Sequence, residues 1–229
     1  NALLSPTHIM LVVGAVLIYM GPGRSVLARA PVVGWQSTGP LVFSLLWLLS
    51  SFTFFTQYAS PFASTISAAA RNPHTVEWVD LFEAFGVAAI ALQAAFLAGV
   101  VLYAVKLKRL PFGSFAVVFG LNVALVTIMR IDFLVVTPLV LIGGAVAAGL
   151  LTDVLYRQLA VSENAGWRLS VFAFCAPALL YAIYFASIVG LAGTYWTIHL
   201  VSGSIVTAGV IGLLLSYLIA PVQAPEVRA

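Results

Sequence analysis

Charge is what this chain has least of. Seventeen of its 229 residues are Lys, Arg, Asp or Glu, 7% in all, where a soluble domain carries about 25%. Hydrophobic residues make up 62%. No soluble core hides that much apolar surface, so the solvent for most of the chain is lipid. Cysteine is nearly missing as well. The one thiol, Cys175, sits inside an apolar run, so no intrachain disulfide is possible. Lysine occurs twice, at Lys106 and Lys108. A formal charge of +3 comes from residues scattered between apolar runs rather than gathered in a patch, which excludes a nucleic-acid partner. HExxH, CxxC, CxxCH, a Walker A loop and GxSxG are all absent, and a Ser202, His199, Asp132 triad has no motif behind it. The sequence leaves open whether the protein is an enzyme.

What remains is a series of apolar runs. A spanning helix needs roughly 20 mostly apolar residues, and seven segments qualify. They are residues 6–20, 40–58, 83–105, 112–129, 138–156, 167–189 and 195–219. Gly21-Pro22-Gly23 is expected to end the first, Pro40 to open the second, and Thr137-Pro138 to start the fifth as cap and first helical residue. Pro177 is expected to kink the sixth. The stretch 111–156 is too long for one crossing and is broken at Arg130 and Asp132, its only charges before Asp153. The expected fold is therefore one all-α integral membrane domain over residues 1–229, a bundle of about seven transmembrane helices.

Orientation follows from the basic residues. With seven spans, Arg24, Arg29, Lys106, Lys108, Arg109, Arg157, Arg168 and Arg228 share one side, and only Arg71 and Arg130 take the other. That bias puts the N-terminus outside and the C-terminus in the cytoplasm of a plasma (inner) membrane. Residues 59–74 read as the longest outer loop, and Tyr195 and Trp196 as part of an interfacial aromatic belt. Small-residue stripes mark faces for close helix packing. They are Ala91, Ala95 and Gly99 on the third span, Gly144 and Ala148 on the fifth, and Ser204, Ala208 and Gly212 on the seventh. These three helices are the expected bundle centre.

Sorting the polar residues by side brings His8, His74, His199, Glu77, Asp80, Glu83 and Asp132 to the outer end. Imidazoles and carboxylates at one membrane face are ligands for copper or zinc. Two histidines on separate helices are the alternative arrangement that clamps a haem b. His199 carries most weight, because Gly203 and Thr207 follow on its face and that small, polar face is expected to point into protein. The expected partner is His8, since the first and last helices of a closed ring are often neighbours. Glu83 or Asp132 would complete the shell, with His74 and Asp80 as further ligands.

The run Asp132-Phe-Leu-Val-Val-Thr-Pro-Leu139 resembles the retinal-counterion helix of microbial rhodopsins. That family carries retinal on a lysine of its seventh helix, and the seventh span here has none. No retinal is expected, and the chain is not assigned to that family.

Three functional readings stay open. The first is a subunit or assembly factor of a redox or energy-linked membrane complex, with the metal or haem at the outer face. The second is a small-solute or ion transporter or channel, with Gln93, Asn122 and Asp153 lining the path near the Pro177 kink. The third is a purely structural subunit. The lipid bilayer is the expected partner, together with other membrane subunits or further copies of the chain.

Overall fold

The computed structural model describes residues 5–29, 34–73, 75–107, 110–131, 135–161 and 166–219. Helices dominate them, and no strand occurs among the described residues beyond an isolated bridge between Ala68 and Thr194. Six helices are long and apolar enough to cross a membrane: α1 (Pro6–Leu27), α2 (Trp35–Phe55), α3 (Val76–Lys106), α5 (Pro138–Gln158), α6 (Trp167–Ala192) and α7 (Ile198–Ile219). The remaining long helix, α4 (Ser114–Met129), is equally apolar but shorter. The fold is that of a multi-pass membrane protein.

Six of these helices close into a ring. Following the packing, α2 lies against α4, α4 against α5, α5 against α6, α6 against α7, α7 against α3, and α3 back against α2. Helix α1 stands outside the ring and packs on α2. Of its residues only Gly23 is buried. Helices α2, α3 and α6 bury half or more of their apolar stretch, against 28% for α7. The bundle centre is thus α2, α3 and α6, so that of the third, fifth and seventh helices suggested by the small residues only the third holds. The seventh-helix stripe is correct, since Ser204, Ala208 and Gly212 are all buried. On α3 the buried small residues are Gly86, Ala89, Ala94, Ala98 and Ala104, while a side chain at Gly99 would meet open space.

Successive helices alternate in direction, and contacts at one end show which termini meet. The Trp35 indole, at the start of α2, donates to the carbonyl of Phe112 just before α4. The Arg157 guanidinium near the end of α5 lies 4.9 Å from the centre of the Phe112 ring. Ser216 at the end of α7 donates to Ser170 at the start of α6. This end carries Arg24, Arg29, Lys106, Arg157 and Arg168; Arg71 and Arg130 lie at the other.

Two prolines inside helices find partners across helix crossings. The first helix was expected to stop at Gly21-Pro22-Gly23 but runs on to Leu27. A proline removes one rung of the helical ladder. Here the Ser44 hydroxyl inserts beside it, accepting from the Gly23 N–H at 3.0 Å and donating to the Tyr19 carbonyl at 2.7 Å. Helix α6 likewise passes through Pro177 without ending. Pro177 leaves the Ala173 carbonyl without its helical donor, and Gly212 of α7 packs so closely on that carbonyl that a methyl group there would collide with it. Helix α2 starts at Trp35, five residues before Pro40, with the Ser37 and Thr38 hydroxyls donating to the Gly34 carbonyl.

Asp153 has a structural partner too. Its carboxylate is 2% exposed and accepts from the Phe115 N–H (3.3 Å) and the Ala116 N–H (3.2 Å), two of the free donors at the start of α4. Gly149, one turn earlier, lets the backbone of α5 lie directly on that first turn. Gly113, with φ +89°, turns the chain into α4 from a conformation that favours glycine. These contacts give Asp153 a capping role in place of a lining one.

Candidate functional site

The main departure from the sequence expectation is the segment between α2 and α3. Residues 59–74 read as a solvated loop, yet every residue from Ala59 to Ala68 except Ser64 is buried. The chain leaves α2, makes a short 3-10 turn (Gln57–Ala59) and a one-turn helix (Pro61–Ser64), and enters the ring between α3, α4 and α6. Its composition accounts for this. Pro61, Phe62, Ala63, Ile66 and Ala68 are apolar, and no charge appears before Arg71. Phe62 stacks edge-on against Tyr184 of α6, with centroids 5.0 Å apart.

Buried irregular backbone must find hydrogen bonds. The Tyr184 hydroxyl donates to the Pro61 carbonyl at 3.2 Å. The Thr194 hydroxyl donates to the Ser67 carbonyl at 2.6 Å, and the Ala69 N–H to the Gly193 carbonyl at 3.0 Å. The Gln93 amide of α3 donates to the Thr56 carbonyl (3.3 Å), the Thr56 hydroxyl (2.9 Å) and the Ala59 carbonyl (3.2 Å). Thr65, fully buried, holds φ 46°. A β-branched residue rarely takes this left-handed conformation, which costs on the order of 1–3 kcal/mol and persists only where surrounding contacts impose it.

Beneath this segment lies a small cavity of about 20 Å³. Its polar lining is Thr53 of α2, Ser60 of the inserted segment, Gln93 of α3, Asn122 of α4 and Tyr181 of α6. All five are at least nine-tenths buried. Asn122 donates its amide hydrogens to Ser50 (3.2 Å) and Thr53 (2.8 Å). An apolar cleft of about 360 Å³ between α1, α2 and α4 shares Thr53 and Val126 with the cavity wall. Gln93 and Asn122, named from sequence as intramembrane polar residues, thus meet at one place. Tyr181, Ser60 and Thr53 were missed. A tyrosine in an apolar run and serines in an apparent loop carry no sequence signal that they face one another.

The outer histidines and carboxylates are spread more widely. His8 lies in the first turn of α1, with Nδ1 and the Ser5 hydroxyl joined by a 2.7 Å hydrogen bond. His199 lies in the first turn of α7 and is exposed together with Ser202 and Gly203. The expectation that its face points inward is corrected, because α7 turns Val201, Ser204 and Ala208 to the ring and leaves the opposite side outside. The expected pairing of first and last helices is corrected too: α1 packs on α2, and α7 packs between α3 and α6. Glu83 and Asp80 do lie on α3, next to α7, with Asp80 exposed and Glu83 half-buried. His74 and Asp132 lie outside the described residues. Among the described residues no group of three or more His, Cys, Asp or Glu is placed to hold a metal ion.

Trp196 does not belong to an aromatic belt. It is 3% exposed and lies over Gly86 of α3, where a methyl group would collide with its ring, and it packs on Phe185. Burial, with the Glu83 carboxylate nearby, raises the Tyr195 phenol above its ordinary range.

Fold and site together define a multi-pass helical membrane protein with a ring of helices, an inserted irregular segment and a buried polar centre. No protein-family model, curated protein or solved structure matches the chain.

Proposed function

We propose that the protein is a transporter or channel for a small solute or ion, with its selective site at the polar centre of the ring. One observation carries this reading. Irregular backbone at membrane depth is tolerated only where it is buried in protein or lines a polar cavity. Residues 59–68, all buried except Ser64, are backbone of this kind, and Ser60 and Phe62 among them line the polar cavity beside Gln93, Asn122 and Tyr181. Interrupted backbone at the centre of a bundle is also how many transporters build their sites. The strained Thr65 adds to it, because such strain collects at functional sites. On this reading the chain crosses a plasma membrane seven times, α4 included, with the N-terminus outside. The support for that orientation is the basic end formed by Arg24, Lys106, Arg157 and Arg168. The reading as a redox-complex subunit with a copper, zinc or haem site on His8 and His199 has no comparable support.

The test is flux through sealed proteoliposomes. Stopped-flow swelling in glycerol and urea reads neutral solutes, and uptake of labelled sodium and rubidium reads ions. At least one probe should cross faster than in protein-free vesicles, and Asn122→Leu should remove the excess. Rates equal to protein-free vesicles for all four probes would reject the proposal in favour of a structural subunit.

A further inference from the structure

The centre of the ring has an unusual oxygen inventory. The Gln93 amide nitrogen faces two backbone carbonyls, Thr56 and Ala59, and the Thr56 hydroxyl. Carbonyls only accept, so turning this amide over would set oxygen against oxygen. Its oxygen is therefore committed to the other side, where it meets no donor among the described residues. The same logic fixes Asn122. The Thr53 hydroxyl spends its hydrogen on the Ser50 carbonyl at 3.2 Å, so the Thr53 oxygen must accept from Asn122. The Asn122 amide oxygen is then also left without a donor among the described residues. The Tyr181 and Ser60 hydroxyls, 1% and 3% exposed, have no hydrogen-bond partner among them either. Four residues that line one cavity thus each carry an uncommitted oxygen, two of these oxygens being strictly acceptors.

We propose that this cavity binds one dehydrated monovalent cation of sodium or potassium size, held by the amide oxygens of Gln93 and Asn122 and the hydroxyls of Tyr181, Ser60 and Thr53. The proposal deepens the transport reading by naming its ion, and it rests on that reading. Its chemistry is set by what lines the cavity. Every polar liner is a neutral oxygen group, the hard donor type suited to alkali ions and unsuited to transition metals, which prefer imidazole or thiolate. No carboxylate lines it, so a divalent ion would lack the charge that protein sites for calcium or magnesium supply. Helix α2 ends at Phe55, two residues past Thr53. Its carbonyl end adds partial negative charge there. At about 20 Å³ the cavity takes one unhydrated particle and no larger solute. The competing occupant is a water molecule, which also fits a cavity of this size.

The experiment uses the full chain purified into nanodiscs. Thermal unfolding is followed in sodium, potassium, lithium and choline chloride at constant ionic strength. A ligand that binds only the folded state raises the melting temperature in a saturable way. Sodium or potassium should raise Tm by several degrees over choline. Tyr181→Phe and Ser60→Ala each remove one oxygen with little change of volume, and together they should shift the half-saturating concentration upward at least tenfold. Equal Tm in all four salts overturns the proposal and leaves water as the occupant. An unchanged half-saturation in the double variant overturns it by placing the ion elsewhere. Swelling flux of glycerol or urea measured in choline medium separates this failure from that of the transport reading. Flux without any cation effect on Tm removes the ion and keeps transport. A cation effect on Tm without flux of any probe keeps the binding site and removes transport.

Discussion

Pro22 has no N–H to offer Ile18, and the next residue, Gly23, donates its N–H to the Ser44 hydroxyl. That one hydroxyl also donates to the Tyr19 carbonyl, so it serves two backbone groups of the turn that Pro22 interrupts. Ser44→Ala should therefore destabilise the protein by about 1–3 kcal/mol, the usual cost of leaving buried polar groups unpaired. The loss should shrink in a Pro22→Ala background, where the helix can close its own ladder. A double-mutant cycle on thermal unfolding in detergent reads that coupling; equal losses in both backgrounds would show that Ser44 acts by packing alone. Asp153 makes a similar case at the start of α4. Asp153→Ala should cost about 1–3 kcal/mol by freeing the Phe115 and Ala116 N–H groups, and Asp153→Asn, which keeps an acceptor, should cost less. The same thermal melts decide it, and an Asn variant as unstable as the Ala variant would reject the capping account. Neither partnership was legible in the sequence. Pro22 between two glycines reads as a stop signal, and only the crossing helix supplies the hydroxyl that cancels it.

At the scale of elements, α6 and α7 meet where Pro177 has freed a carbonyl and Gly212 covers it. Gly212→Val should overpack this crossing and destabilise the fold by about 1–3 kcal/mol or more. Gly99→Leu, on a face with open space, should leave the melting temperature within about a degree of wild type, since surface changes away from special contacts cost little. If both variants melt alike, the assigned faces are wrong. The helices themselves were largely readable. The later four begin and end within a few residues of their expected limits, because apolar length and Thr-Pro or charged boundaries are local signals. The stretch 59–68 was not readable as a buried element. Its depth depends on Tyr184, Gln93 and Thr194, which come from two parts of the chain distant from it and from each other. Trp196 misleads for the same reason, as nothing local distinguishes a belt tryptophan from one laid on Gly86.

For the molecule as a whole, the gathered basic end makes a topology prediction. In a Cys175→Ala background, single cysteines at Arg71 and Arg130 should react with a membrane-impermeant maleimide applied outside intact cells. Cysteines at Lys108 and Ser162 should react only after lysis. Outside labelling at Lys108 would invert the orientation. The sidedness of charge is legible because it is a sum over many residues. The central site is legible only in part, since Gln93 and Asn122 stand out as polar against apolar runs while their meeting depends on the order of helices around the ring. That order also dictates a sequence of events during synthesis. The ring closes at the seam between α3 and α7, and of its six helices α7 is the one made after all the others. The turn carrying Gly193 and Thr194, which latches residues 67–69, is made just before it. A nascent chain arrested before α7 has entered the membrane lacks these two hydrogen bonds, and its ring is open between α6 and α3. Protease sites engineered near Ser67 should be cut in that arrested chain and resist cutting once α7 is released.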